Sequence, residues 1–198
     1  TLLAGGFSGF LRMAEDHAML SLSPERFLRI HQGTVTSQPI KGTAPRHSDP
    51  EQDTELARAL LNSEKDRAEN VMITDLLRND LGQFCQTGSV NVTELCGLHS
   101  YNNVHHLVST VEGKLAPGVS AGQMLLATSP GGSITGAPKK RAVEIIAELE
   151  PAPRGAYCGS LFILGGHNWL QSSIAIRTLE VSNNTVHCWG AVSYTHLS

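Results

Sequence analysis

The apolar positions along the chain change period several times. "AMLSL" at 18–22 and "FLRI" at 27–30 lie on either side of a polar "SPE", which predicts two short strands. "QGTVTSQPIKG" alternates like a third strand and ends at Gly42. The period then lengthens. "PEQDTELARALL", 50–61, reads as a helix with Pro50 near its first turn. A longer helix follows in "SEKDRAENVMITDLLRNDLG": Ser63 is a natural N-cap, Asp66 falls at the third helical position, and Gly82 ends it. Ala68, Val71, Met72, Asp75, Leu76 and Asn79 follow helical spacing, as do Ile73, Leu76 and Leu77. The expected face is therefore wide, apolar and interrupted by acids.

"GSVNVTELCGL" and "VHHLVSTVEGKL" predict two more strands, and "AGQMLLATS" a short helix. After a Gly-rich "SPGGSITGAP", "PKKRAVEIIAELE" predicts a helix with Ala142, Ile145, Ile146 and Leu149 on one face. "YCGSLFILGG", "SSIAIRTLEV" and "NTVHCWGA" predict three antiparallel strands with hairpins at "GGHN" and "SNN". Strands without regular βαβ alternation predict an α+β domain, and no internal repeat is visible.

Composition narrows this little. The chain has 198 residues, 40% hydrophobic and 17% charged, as an ordered globular domain would. A net charge of −3 gives no reason to expect a nucleic-acid partner. No apolar run approaches the ~18 residues of a membrane helix. Cys85, Cys96, Cys158 and Cys188 show no C-x-x-C spacing, so each is expected as a small buried hydrophobe in a reducing compartment. No signal peptide is evident, and the expected location is the cytoplasm. The chain opens at Thr1 rather than Met, within an apolar run, so further sequence is expected upstream.

Several groups have chemistry open to them. Lys41, beside Gly42, is a nucleophile, an anion clamp or a solvated surface lysine. Glu25 lies sixteen residues earlier, across an expected strand pair, and would work with it or form a surface ion pair. Asp66 and Glu69 share a helix face and suit a hard cation such as Mg²⁺; from spacing alone a solvated charged face is the commoner arrangement. "GGSITGAPKK" has Gly131 and Gly136 at P-loop spacing, but Ala137 and Pro138 follow, which disfavours a nucleotide. A carboxylate guest at the loop, or glycines chosen for close packing, both remain open. His105 and His106 sit in a strand-like run, so one should point in and one out. Arg177, in an apolar run, needs an anion if buried and faces solvent otherwise.

Seven blocks in order, "SPERF", "PIKGTAPR", "KDRAENVMITDLLRNDLG", "VHHLVST", "SPGGSITGAPKKRAVEIIAELEP", "RGAYCGS" and "SIAIRT", resemble the chorismate-utilising enzyme family. The resemblance implies a two-layer sheet sandwich with outer helices, like that of anthranilate synthase component I. It covers 1–191 as a partial chorismate-binding domain, with 192–198, "VSYTHLS", as a tail outside the family pattern. Members that make anthranilate or salicylate carry Ala at the position of Lys41; those with "PIKGT" form 4-amino-4-deoxychorismate, toward p-aminobenzoate and folate. By that match Lys41 is a covalent nucleophile, Glu25 a general acid, and His106 a histidine near the departing hydroxyl. Tyr157 and Arg177 would grip the pyruvyl carboxylate, while Gly42, Thr43, Ser133 and Thr135 line the pocket. Glu69, with Asp66 in support, would hold Mg²⁺. Ammonia would come from a glutamine amidotransferase subunit. The family's N-terminal portion and its later Mg²⁺-ligating helix are not matched, so these 198 residues alone are expected to be inactive. An anthranilate or isochorismate enzyme with an unusual lysine, or a binding module without catalysis, are the competing expectations.

Overall fold

A computed structural model describes residues 6–190, so the expected tail at 192–198 lies outside the described residues. The elements run β1 (Phe7–Arg12), β2 (His17–Ser23), β3 (Arg26–His31), β4 (Thr34–Gln38), β5 (Ile40–Pro45), α1 (Pro50–Asn62), α2 (Glu64–Gly82), β6 (Asn91–Ser100), β7 (Val104–Lys114), α3 (Ala121–Thr128), a 3-10 turn (Gly132–Ile134), α4 (Lys139–Leu149), β8 (Ser160–Gly165), β9 (Trp169–Ile174), β10 (Thr178–Ser182) and β11 (Thr185–Cys188). The expected helices all form. Asp49 caps α1 by accepting from the amides of Glu51 and Gln52, and Ser63 caps α2 by accepting from that of Asp66.

Two antiparallel sheets result. The smaller has the order β1-β2-β10-β11, and the larger has seven strands. In the larger, β4 and β5 form one path broken at Pro39. β4 pairs with the C-terminal half of β7 (Ser37 opposite Val111) and β5 with its N-terminal half (Ile40 opposite Val108). β6 covers the other edge of β7. β3, β9 and β8 continue outward from β4. The core lies where Ile73, Leu77 and Leu81 of α2 and Met124 and Leu125 of α3 meet Ile30, Val35, Val111, Leu170 and Ile174 of this sheet. Fully burying such a side chain contributes about 1.5–3 kcal/mol.

Several expectations need correction. The run "SSIAIRTLEV" is two strands, because the chain leaves the large sheet after Ile174 and enters the small one at Thr178. Arg177 therefore sits in a crossover, at φ 49, and not inside a strand. On α2 the buried face is Asn70, Ile73, Thr74, Leu77, Asp80 and Leu81, while Val71, Met72 and Asp75 are exposed. Polar groups win that face because they are paired: Asn70 Nδ2 donates to Leu107 O at 3.1 Å, and Thr74 Oγ1 to Asn70 O at 2.7 Å. His105 and His106 are both buried, because β7 is a central strand covered on both faces. Cys85, Cys96 and Cys158 are buried thiols as expected, but Cys188 is exposed.

Large apolar surfaces face solvent. No residue of α4 is buried, and Leu149, on its expected apolar face, is 76% exposed. Phe162, Ile163 and Leu164 of β8 and Phe10 and Leu11 of β1 are also exposed. No helix among the described residues is long and apolar enough to cross a membrane.

Candidate functional site

The site forms where four irregular segments converge. The first is a bulge in β5. Ile40 faces Val108 and Thr43 faces His106, so three steps along β5 match two along β7. The extra residue turns the local backbone and re-aims Lys41. Its Nζ donates to Ser133 O at 3.1 Å, and the side chain is half-buried. Gly42 has φ +90, and a Cβ on it would lie 2.9 Å from Asp66 Cβ and 3.2 Å from Leu60 Cδ1. Only glycine both adopts that backbone and lets the first turn of α2 approach so closely. Asp66 and Glu69 are thereby brought against the bulge, with Lys65 Nζ 3.9 Å from Glu69 Oε1.

The second segment is the glycine-rich loop between α3 and α4. A Cβ on Gly132 would meet Leu76 Cδ2 at 2.7 Å, and one on Gly131 would meet Ile174 Cδ1 at 2.5 Å. The glycines thus let the loop lie flat on α2 and β9. Close packing, one of the two alternatives left open by the sequence, is what the glycines provide, and Ser133 and Thr135 of the same loop line the cavity.

The third is the turn from β2 into β3. Glu25 N donates to Ser23 Oγ at 3.1 Å, and Glu25 O accepts from Ile174 N at 3.2 Å. The side chain is buried, and desolvation pushes its carboxyl up to about 7. A hydrogen bond with the Ser133 side chain and the Lys41 charge pull it partly back, but burial wins. A carboxyl that keeps its proton to neutral pH is suited to donate one.

The fourth is the crossover from β9 to β10, which carries Arg177. His106 lies close enough to feel its charge. Burial, then the Arg177 charge, hold the imidazole below its ordinary pKa, against a hydrogen bond with the Gly42 backbone. His106 Nδ1 is 2.8 Å from Thr43 Oγ1, and its ring stands edge-on to Tyr101. Tyr157 is buried and stacks on Trp189 with centroids 5.6 Å apart; burial raises its phenol pKa.

All eleven residues to which the family resemblance gives a site role line one cavity of about 760 Å³: Glu25, Lys41, Gly42, Thr43, Asp66, Glu69, His106, Ser133, Thr135, Tyr157 and Arg177; His105, Gly131 and Gly136 do not. That volume lies within the range of small-molecule sites, which run to about 1,000 Å³. Arg154, Cys158, Ile146 and Trp189 also line it and were not singled out. Arg154 and Cys158 sit in the matched block "RGAYCGS", but nothing in their local pattern marks them as lining; Trp189 comes in only through stacking between distant segments. Arg154 Nη1 donates to Ile134 O at 3.0 Å, so it also holds the loop. A second cavity, of about 500 Å³, opens between the sheets and shares His106, Arg177 and Trp189 with the first.

Among the described residues no group of three or more His, Cys, Asp or Glu is placed to hold a metal ion. Asp66 and Glu69 are two carboxylates on one side of the cavity. Mg²⁺ is commonly held by one or two protein carboxylates, its remaining positions filled by water and substrate oxygens, and the pair fits that kind of site.

The cavity is lined by basic groups, a buried acid and two further carboxylates, under a bulged strand and a glycine loop; residues 5–192 match the model of the chorismate binding enzyme family, and the chain belongs to that family. It is 53% identical over 182 residues to aminodeoxychorismate synthase component 1 of Klebsiella aerogenes, covering 92% of this chain and 40% of that protein. It is 45% identical over 177 residues to anthranilate synthase component 1 of Streptomyces coelicolor, covering 89% of this chain and 35% of that one. The crystal structure of anthranilate synthase component I from Streptococcus pneumoniae superposes with a TM-score of 0.82 at 34% identity, covering 96% of this chain and 43% of that one. The fold is thus the α+β chorismate-binding sandwich, incomplete here, and the chain spans about two fifths of the length of these relatives.

Proposed function

We propose that the protein carrying this chain converts chorismate to 4-amino-4-deoxychorismate, with ammonia delivered by a glutamine amidotransferase subunit, on the way to p-aminobenzoate and folate. The observation that carries the reading is Lys41: its amine lies inside the cavity, beside a buried Glu25 that keeps its proton to about pH 7.

The Lys41 amine attacks C2 of chorismate as the C4 hydroxyl leaves. A C–N bond forms and a C–O bond breaks. Glu25 supplies the proton that lets hydroxide depart as water. Ammonia then attacks C4 while the bond from C2 to Lys41 breaks, which restores the ring diene and frees the enzyme amine. Two displacements replace one difficult substitution, which is the logic of covalent catalysis. Arg177 and Tyr157 hold the pyruvyl carboxylate, and His106, neutral and hydrogen-bonded to Thr43, lies at the leaving-group side. Asp66 and Glu69 would hold Mg²⁺, which when bound neutralises the ring carboxylate and fixes its position.

The 45% identity to an anthranilate synthase component keeps a second reading open, with amination at C2 and no adduct. One experiment on the full-length protein decides. Chorismate and ammonia should give the C4-aminated product, an intermediate bonded to Lys41 should be trapped and seen by mass spectrometry, and Lys41→Ala should abolish both. Anthranilate as product, or C4 amination undiminished in Lys41→Ala, overturns the proposal.

A further inference from the structure

Resting on those roles for Lys41 and Glu25, we propose that Lys139 and Asp80 are positioning residues: they clamp the two ends of the glycine-rich loop together and so set Ser133 against both groups. Ser133 meets Lys41 through its carbonyl, at 3.1 Å, and Glu25 through its side chain. The position of this one residue therefore fixes the surroundings of the amine and the acid together.

Two other contacts hold the middle of the loop: Arg154 Nη1 donates to Ile134 O at 3.0 Å, and Gly131 and Gly132 pack against Ile174 and Leu76. The loop between α3 and α4 pairs with neither sheet. Its own backbone bonds are two short turns, Ile134 N to Gly131 O at 3.4 Å and Thr135 N to Gly132 O at 3.2 Å. The helix that follows buries none of its residues, so apolar packing holds the far end of the loop only weakly. Lys139 is the first residue of that helix. Its Nζ donates to Thr128 O, the last residue of α3, at 2.8 Å, and to Asp80 Oδ2 on α2 at 2.5 Å. The two side chains are 17% and 10% exposed. One ammonium thus satisfies a carbonyl left open at the end of α3 and a carboxylate shielded from water. It joins the entry and exit of the loop to the helix that carries Asp66 and Glu69. Lys140, the next residue, is exposed and provides a control.

Removing either partner leaves the other charge buried and uncompensated, so the loop end should shift. A misplacement of about 1 Å costs on the order of a hundredfold in rate. In the full-length protein, Lys139→Met should lower kcat for C4 amination about tenfold or more, with the chorismate KM changed by less than about threefold. Asp80→Asn should do the same, and the double variant should be no worse than either, since both remove one interaction. Lys139→Arg should restore most of the rate, and Lys140→Met should match wild type. Amide hydrogen exchange in residues 131–136 should speed up in Lys139→Met while exchange in α2 stays as in wild type. Unchanged loop exchange in Lys139→Met overturns the clamp, as do additive losses in the double variant. If wild type makes no C4-aminated product, the functional reading fails instead, and loop exchange alone still decides whether the clamp exists.

Discussion

Glu25 shows how burial changes the acidity of an ordinary residue. Its carboxyl is raised from 4.5 to about 7, so the folded protein holds a proton that the unfolded chain releases. The associated stability is fully present below about pH 4.5 and is lost as pH rises through about 7, a difference on the order of 3 kcal/mol. Two results should follow in the full-length protein. The amination rate should fall on the alkaline side with a midpoint near 7, as the acid loses its proton. Glu25→Gln should lower kcat by ~10²–10⁴, yet stabilise the fold at pH 8, where the wild-type residue is a buried charge. Urea unfolding at pH 8 and pH 5 measures the second effect, and Glu25→Gln should show a gain at pH 8 that vanishes at pH 5. A destabilised Glu25→Gln at pH 8 would show that the charge is not desolvated. The residues alone offered Glu25 either as a working partner of Lys41 or as half of a surface ion pair; nothing in a chain's pattern reports that a side chain at a strand turn is covered by a loop more than a hundred residues away. The same holds for Lys41, whose three readings in the residues were narrowed only by the matched blocks and whose amine was then located by the fold.

At the scale of elements, the bulge in β5 does the positioning. A regular strand would alternate without interruption through Ile40, Lys41 and Gly42, and Gly42 would need no special backbone. The bulge and φ +90 at Gly42 make room for Asp66 at 2.9 Å from the missing Cβ. Gly42→Ala should therefore cost about 1–3 kcal/mol from backbone strain alone. It should also push α2 from the bulge, lowering both the yield of the Lys41 adduct and Mg²⁺ affinity; urea denaturation and adduct mass spectrometry check this. Helices and most strands were legible because capping residues and period are local signals: Ser63 ends α1 and starts α2 where it stands. The split of β9 from β10 was not legible, since apolar alternation runs through Ile174 and Ile176 while the chain changes sheets. The buried face of α2 was misread for a related reason. Apolar periodicity favoured Val71 and Met72, but hydrogen bonding to β7 placed Asn70 and Thr74 inside.

For the molecule as a whole, large apolar side chains on several elements face solvent. Leu126 is 78% exposed, Leu149 76%, Ile163 66% and Phe10 66%, and they come from α3, α4, β8 and β1 in turn. Phe162, Ile163 and Leu164 are exposed together on β8, which among the described residues is the end strand of its sheet, and apolar side chains along a strand edge are suited to pack against something else. The cavity has a matching deficit. Among the described residues no third His, Cys, Asp or Glu joins Asp66 and Glu69 in a group placed to hold a metal, so Mg²⁺ bound there would be held mainly by water and substrate, and affinity follows ligand number and charge. Both observations point the same way. Expressed alone, the 198-residue chain should self-associate at micromolar concentration in size-exclusion chromatography. It should also aminate chorismate at least about a hundredfold more slowly than the full-length protein at equal Mg²⁺, the loss that misplacement of reacting groups by about 1 Å would produce. The rate deficit should narrow as Mg²⁺ is raised, because weak metal binding contributes to it, whereas self-association should not respond. A monomeric chain with turnover equal to that of the full-length protein would mean that the exposed faces are ordinary surface and that the cavity described here is already complete.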